Sequence, residues 1–416
     1  MWGEDRNKGS ANSRQGDDVG DSVHGGNIRE REYIASLKAD WMPAILLGTY
    51  TVTTAITYFF IVVFFKEQLK FSALQIGILF SVQAVTGILA SFPAGMGNDR
   101  FSSRMMIAGG LFSQAVCFFL MSVVTSFIPF AVVFTAWSLF SWVFRLSIDV
   151  YFLKTDTRDA IGRRIGFFQA WRFVGMAVGT VFAGYLITGL DFKVSFRIIG
   201  LVCLGLSLLS GLMPVTATTL VRLSDYRADF ANKRVLLFSV WMLLFATHWG
   251  AEQTSYGLFL RKALCLSFSG MGLYISAEYI MIVLCLILMS GSISKKENFR
   301  RIAIFGLLAS GLGHMGMIIK PTYVSLIFRL IHGFGDGLII LVQYYGISRL
   351  FSIEHLGGDT GLISLVLMIG YCIGAMIYSP IGETFGYGYP LWISGLLTLL
   401  LITPLLRLRP LARSIR

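Results

Sequence analysis

Twelve apolar runs, each about as long as a hydrocarbon core is thick, follow one another along this chain, and a helix needs about 20 such residues to cross a bilayer. They lie near 41–65, 75–97, 105–125, 128–152, 166–189 and 196–216, then near 235–260, 269–291, 301–319, 322–347, 359–382 and 386–406. Between the two sets of six runs a polar break carries Arg222, Asp225, Arg227, Asp229, Lys233 and Arg234. Composition agrees, because 55% of the 416 residues are apolar and only 14% are charged, too few for a water-soluble surface. The sequence therefore predicts an all-α membrane protein of twelve transmembrane helices. Its parts are a disordered leader at 1–40, a six-helix bundle at 41–216, a central loop at 217–234, a second six-helix bundle at 235–407 and a basic tail at 408–416.

The 35 Lys and Arg against 23 Asp and Glu are topology determinants here, not evidence for a nucleic-acid partner. With the N-terminus inside, 25 of them fall on the leader, the even-to-odd loops and the tail, and 7 on the opposite loops. Both termini are expected in the cytoplasm, in a monomer surrounded by lipid, with a bacterial inner membrane as the setting. Cys117, Cys203, Cys265, Cys285 and Cys372 are scattered, with no CxxC and no His/Cys cluster, so neither a disulfide framework nor a metal site follows. No cofactor is expected. The sequence has no ATP-binding Walker motif and no loop long enough for a catalytic domain, which points away from an enzyme and toward an ion gradient as energy source.

The halves read as copies offset by about 195 residues: Gly77 and Ser81 recur as Gly272 and Ser276, and Gly166, Gly175 and Gly179 recur as Gly361, Gly370 and Gly374. One shared offset across two pairs of spans predicts a parallel repeat of two bundles.

After the second span the chain reads Gly95-Met-Gly-Asn-Asp99-Arg100-Phe-Ser-Ser-Arg104. This resembles the signature cytoplasmic loop of the major facilitator superfamily, a Gly followed at +4 and +5 by Asp-Arg and at +9 by a basic residue. Ser102 and Ser103 depart from that pattern, and the second-half loop from Gly291 to Arg301 keeps the glycine and the positive charge but lacks the Asp. The resemblance implies that Asp99, Arg100 and Arg104 are gating residues that hold the cytoplasmic side shut; the alternative is a short basic turn. It also implies that spans 1, 4, 7 and 10 line a central cavity, 2, 5, 8 and 11 flank it, and 3, 6, 9 and 12 face lipid.

Ionised groups at mid-membrane cost roughly 2.5–3.5 kcal/mol each on insertion scales, so they persist only when paired, hydrated or functional. Arg145 and Asp149 on span four, Arg172 on span five, Glu252 on span seven, Glu278 on span eight, and Arg329 and Asp336 on span ten are such groups. They are expected to converge on a water-accessible chamber between the bundles. Desolvation favours a neutral carboxyl, which suits a reversible proton carrier. Glu252 is the first candidate and Asp336 the second, with Glu278, His248 and His332 beside them; static ion pairs and packing histidines are the alternatives. Thr53, Thr54, Thr57 and Tyr58 on span one, with Trp249, Gln253 and Arg329, are candidates for the substrate cavity. Arg145, Asp149 and Arg172 look like an inner gate, against an intrahelical Arg145–Asp149 bridge.

The expected function is secondary transport of a small organic solute by alternating access, coupled to protons. Three intramembrane arginines favour uptake over efflux of lipophilic cations. A non-transporting sensor with a transporter fold is the reading of another class.

Overall fold

Each bundle opens its second span with the same device. Ser72 accepts from the Gln75 N–H at 3.2 Å while the Gln75 side chain accepts from the Ser72 N–H at 2.8 Å, closing a capping box. Ser267, 195 positions on, accepts from the Gly270 N–H at 3.1 Å. The computed structural model describes residues 41–55, 61, 64–155, 161–189, 191–219, 221–295 and 298–407. The expected leader at 1–40 and tail at 408–416 lie outside the described residues.

Span one is helical over 42–55. Spans two to six are Ala73–Arg100, Ser103–Met121, Phe127–Lys154, Ile161–Gly189 and Phe192–Ser210. A short central-loop helix, Leu223–Ala231, precedes span seven, Lys233–Lys262. Spans eight to eleven are Phe268–Ile293, Asn298–Gly316, Thr322–Leu350 and Leu356–Phe385; span twelve is Gly388–Leu400, continued by Ile402–Arg407. Among the described residues ten helices are long and apolar enough to cross a membrane, namely spans two to eight and ten to twelve. Span nine is as long as spans three and six but more polar, with Arg300, Arg301 and His314, and packs along span ten.

The repeat is legible in the backbone. Helix starts at 73 and 127 recur at 268 and 322, each 195 later. The packing repeats too. Gly175 lies against the Gly48 carbonyl and Gly179 against that of Val52, while Gly370 lies against the Leu243 carbonyl and Gly374 against that of Thr247. All four contacts shift by the same offset, so spans five and eleven meet spans one and seven in one way, through small residues that let helix backbones touch. The halves join where span two packs on span eleven and span five on span eight.

Candidate functional site

Span seven does not run as a regular α-helix through its polar stretch. From Glu252 to Tyr256 it forms a π-helical turn, a local widening common at functional sites because it re-aims side chains. Glu252 heads that turn. Arg329 of span ten pairs with both Glu252 and Glu278, and its guanidinium lies 4.1 Å from the centre of the Tyr256 ring. One buried guanidinium thus ties spans seven, eight and ten together.

His332 stands one turn along from Arg329. Its Nδ1 lies 2.9 Å from the Ser310 carbonyl oxygen, and its Nε2 lies 3.2 Å from Glu252, 3.7 Å from Asp336 and 3.9 Å from Glu278. A carbonyl only accepts, so Nδ1 carries a hydrogen, and a bare lone pair on Nε2 would face three carboxylates. Nε2 makes no hydrogen bond of its own and faces those acids as an unsatisfied ring nitrogen. His248 is placed in a similar way, with Nδ1 2.5 Å from the Phe245 carbonyl and Nε2 3.3 Å from Asp336 Oδ2. Asp336 also accepts from Ser310 Oγ at 2.7 Å and from Trp249 Nε1 at 3.5 Å.

Glu252, Glu278 and Asp336 supply three negative charges and Arg329 one positive, which leaves an excess of two that a buried site cannot hold at low cost. Two protons shared among the acids and imidazoles of the group would bring that sum to zero. His314 completes the group, with its ring centre 4.7 Å from that of His332 and its Nε2 3.9 Å from Glu252. It is fully buried on span nine, a helix that the resemblance assigned to lipid.

Nothing comparable exists at the matching positions of the first half. Subtracting 195 from 329, 332, 336 and 278 gives Phe134, Trp137, Ser141 and Gln83. Phe134 and Trp137 belong to an aromatic core with Phe65, Phe118 and Phe130. The intramembrane charges of spans seven, eight and ten therefore gather inside the second half, rather than across a chamber shared by the two bundles.

A smaller group does bridge the halves. Asp149 pairs with Arg172 and accepts from Tyr344 Oη at 2.9 Å, while Arg172 reaches the same phenol at 3.4 Å. Arg145 does not form the intrahelical bridge to Asp149; it lies over Trp142, 5.7 Å from the ring centre. Thr53 and Thr54 both donate to the Tyr50 carbonyl of their own helix. Gln253 is exposed, and Thr57 and Tyr58 lie outside the described residues.

At the end of the molecule that carries the central loop, Asp99 is completely buried. It accepts from the backbone N–H groups of Gly357 at 2.9 Å and Gly358 at 2.7 Å, the first turn of span eleven, and pairs with Lys154 at 2.8 Å. A carboxylate at a helix N-terminus is favoured by the unsatisfied N–H groups and the helix dipole. Tyr226 of the central-loop helix donates to Asp99 at 2.8 Å, and burial together with that carboxylate pushes its phenol up, so it stays a donor. Arg100 is exposed, and Arg104 caps the end of span six by donating to the carbonyls of Gly211 and Met213. Only Asp99 of these three reaches the other half. Its counterpart at the 195 offset is Ser294, whose hydroxyl accepts from the Gly162 N–H at 3.2 Å, at the start of span five. The two closures are the same joint, made once with a carboxylate and once with a hydroxyl.

Two matched bundles joined by spans two and eleven and by spans five and eight, with ionisable groups buried inside, define a secondary transporter of the membrane. The sequence over residues 44–260 and again over 236–415 matches the model of the Major Facilitator Superfamily, and the chain belongs to that family of transporters, which are not enzymes. A search of curated proteins finds no match. Among solved structures, the fold resembles the human organic anion transporter MFSD10, with a TM-score of 0.75 and 10% identity over 88% of this chain and 99% of that one. It also resembles the E. coli fucose:proton symporter FucP, with a TM-score of 0.68 and 15% identity over 91% and 98%. A third likeness, TM-score 0.70 and 14% identity over 89% and 98%, is to a bacterial homologue of the iron transporter ferroportin in an outward-facing state.

Proposed function

We propose that this transporter moves a small organic solute by alternating access and couples that movement to protons held in the second-half network. The observation that carries the reading is the placement of His332, with Nδ1 on a carbonyl and Nε2 facing Glu252, Glu278 and Asp336. A proton there neutralises a buried excess of negative charge, and its loss would force the network to rearrange. Glu252 is the exit point for that proton, because its side chain is 19% exposed while those of Glu278 and Arg329 are nearly sealed. Arg329 and Arg172 are each held by carboxylates, so neither bars a cationic solute. The central-loop face, rich in Lys and Arg, is the cytoplasmic one, and Asp99 closes it.

The test uses a ligand identified by thermal-shift screening of detergent-purified protein. In proteoliposomes, Glu252→Gln, His332→Gln and Asp336→Asn are each expected to abolish pH-gradient-driven accumulation while solute exchange at equal pH continues. Normal accumulation by all three variants would refute the proton assignment.

A further inference from the structure

Asp229 on the central-loop helix, His355 just before span eleven and Asp359 in the first turn of span eleven meet outside the transport network. His355 Nδ1 lies 2.7 Å from Asp229 Oδ2 and 2.7 Å from Asp359 Oδ2, and the three donor atoms all fall within 4.8 Å of one another. Asp359 is fully buried, and its second oxygen, Oδ1, receives no hydrogen bond. Asp229 and His355 keep an open side toward water, with side chains 31% and 18% exposed.

Charge decides what the trio needs. Two carboxylates crowd one imidazole nitrogen, and Asp359 Oδ1 is buried with no hydrogen bond, so a cation among the three donor atoms would be favoured. Two carboxylates with a neutral imidazole and one divalent ion sum to zero. One nitrogen and two carboxylate oxygens suit a divalent transition metal such as Zn²⁺ or Mn²⁺, whereas Mg²⁺ favours all-oxygen, largely hydrated sites.

We infer that Asp229, His355 and Asp359 form a binding site for a divalent transition-metal ion on the central-loop face. The ion joins the central-loop helix to the turn of span eleven whose Gly357 and Gly358 N–H groups Asp99 caps. Binding therefore holds the closed state of that face, and metal acts as a brake on opening rather than as cargo. Neither the proton network nor the identity of the solute enters this assignment, since the trio shares no residue with Glu252, Glu278, His332 or Asp336.

Calorimetric titration of the full-length, chelator-stripped protein in detergent with ZnCl₂, MnCl₂ and MgCl₂ tests it. One Zn²⁺ or Mn²⁺ per chain is expected, with no comparable Mg²⁺ binding. His355→Gln and Asp359→Asn are expected to weaken that affinity about tenfold or more. Asp229→Asn, at a partly exposed position of a surface helix, should do the same, and it supplies the answer if the buried variants fail to fold. His332→Gln, which disrupts the other histidine–carboxylate groups, should leave the titration unchanged. Absence of Zn²⁺ and Mn²⁺ binding in the wild type, or binding lost in His332→Gln and kept in Asp229→Asn, overturns the site.

Discussion

Tyr344 donates a hydrogen bond of 2.9 Å to Asp149, the residue 195 positions earlier and therefore its own counterpart in the repeat. Equivalent positions of two copies can touch only near the axis that relates them, so this bond marks the approximate two-fold of the molecule. The pair has diverged into a donor and an acceptor, which lets Arg172 add its charge on one side only.

Tyr344→Phe removes a hydrogen bond to a charged acceptor, worth about 1.5–3 kcal/mol. Thermal unfolding in detergent is expected at a lower temperature. Adding Asp149→Asn should cost less in the double variant than the two single changes sum to, because both act on one contact. Strict additivity would separate the two residues energetically.

Arg329→Gln leaves Glu252 and Glu278 facing each other without their shared cation. Breaking a buried pair in this way typically costs about 3–5 kcal/mol. Glu278→Gln added to Arg329→Gln should recover part of the loss, since it removes the stranded charge. Melting curves in which the double variant is no more stable than Arg329→Gln would show that the ion pairs do not hold spans eight and ten.

The all-helical membrane fold and the repeat were readable from the sequence because hydrophobic run length and glycine spacing are local signals. Partner choice was not. Asp149 takes Arg172 from the next span over Arg145 one turn away, because Arg172 arrives with Tyr344 while Arg145 lies on Trp142. The resemblance places span nine toward lipid and so gives His314 no role; a lone imidazole in the last turn of that helix is the available signal. The second-half closure stayed hidden for a reason of register. Matching the loops on Gly95 and Gly291 gives an offset of 196, whereas the helices keep 195, which places Ser294 opposite Asp99.

Asp99→Asn keeps the shape of the joint at span eleven but loses the charge that Lys154 and the helix N-terminus favour. Transport turnover is expected to fall about tenfold or more, with ligand affinity changed less than about twofold, since each hydrogen bond to a charged group is worth about 1.5–3 kcal/mol. Initial-rate transport and equilibrium binding on the same preparation decide it. Equal loss of both would place Asp99 in the ligand site instead.

Gly370→Val should prevent close approach of spans seven and eleven, because any side chain there meets the Leu243 carbonyl. A penalty of about 1–3 kcal/mol or outright misfolding is expected. Gly77→Ala is the control, for its added carbon meets nothing within 4 Å. Similar yields and melting points for both variants would contradict the packing account.

The joint built twice, on Asp99 and on Ser294, is fastened unequally. A hydroxyl lets go of one amide more readily than a carboxylate lets go of two amides, an ammonium and a phenol. Separation should thus start along the seam between spans five and eight and swing about the seam between spans two and eleven, so that the mouth forms lopsided, with its first gap on Ser294's side.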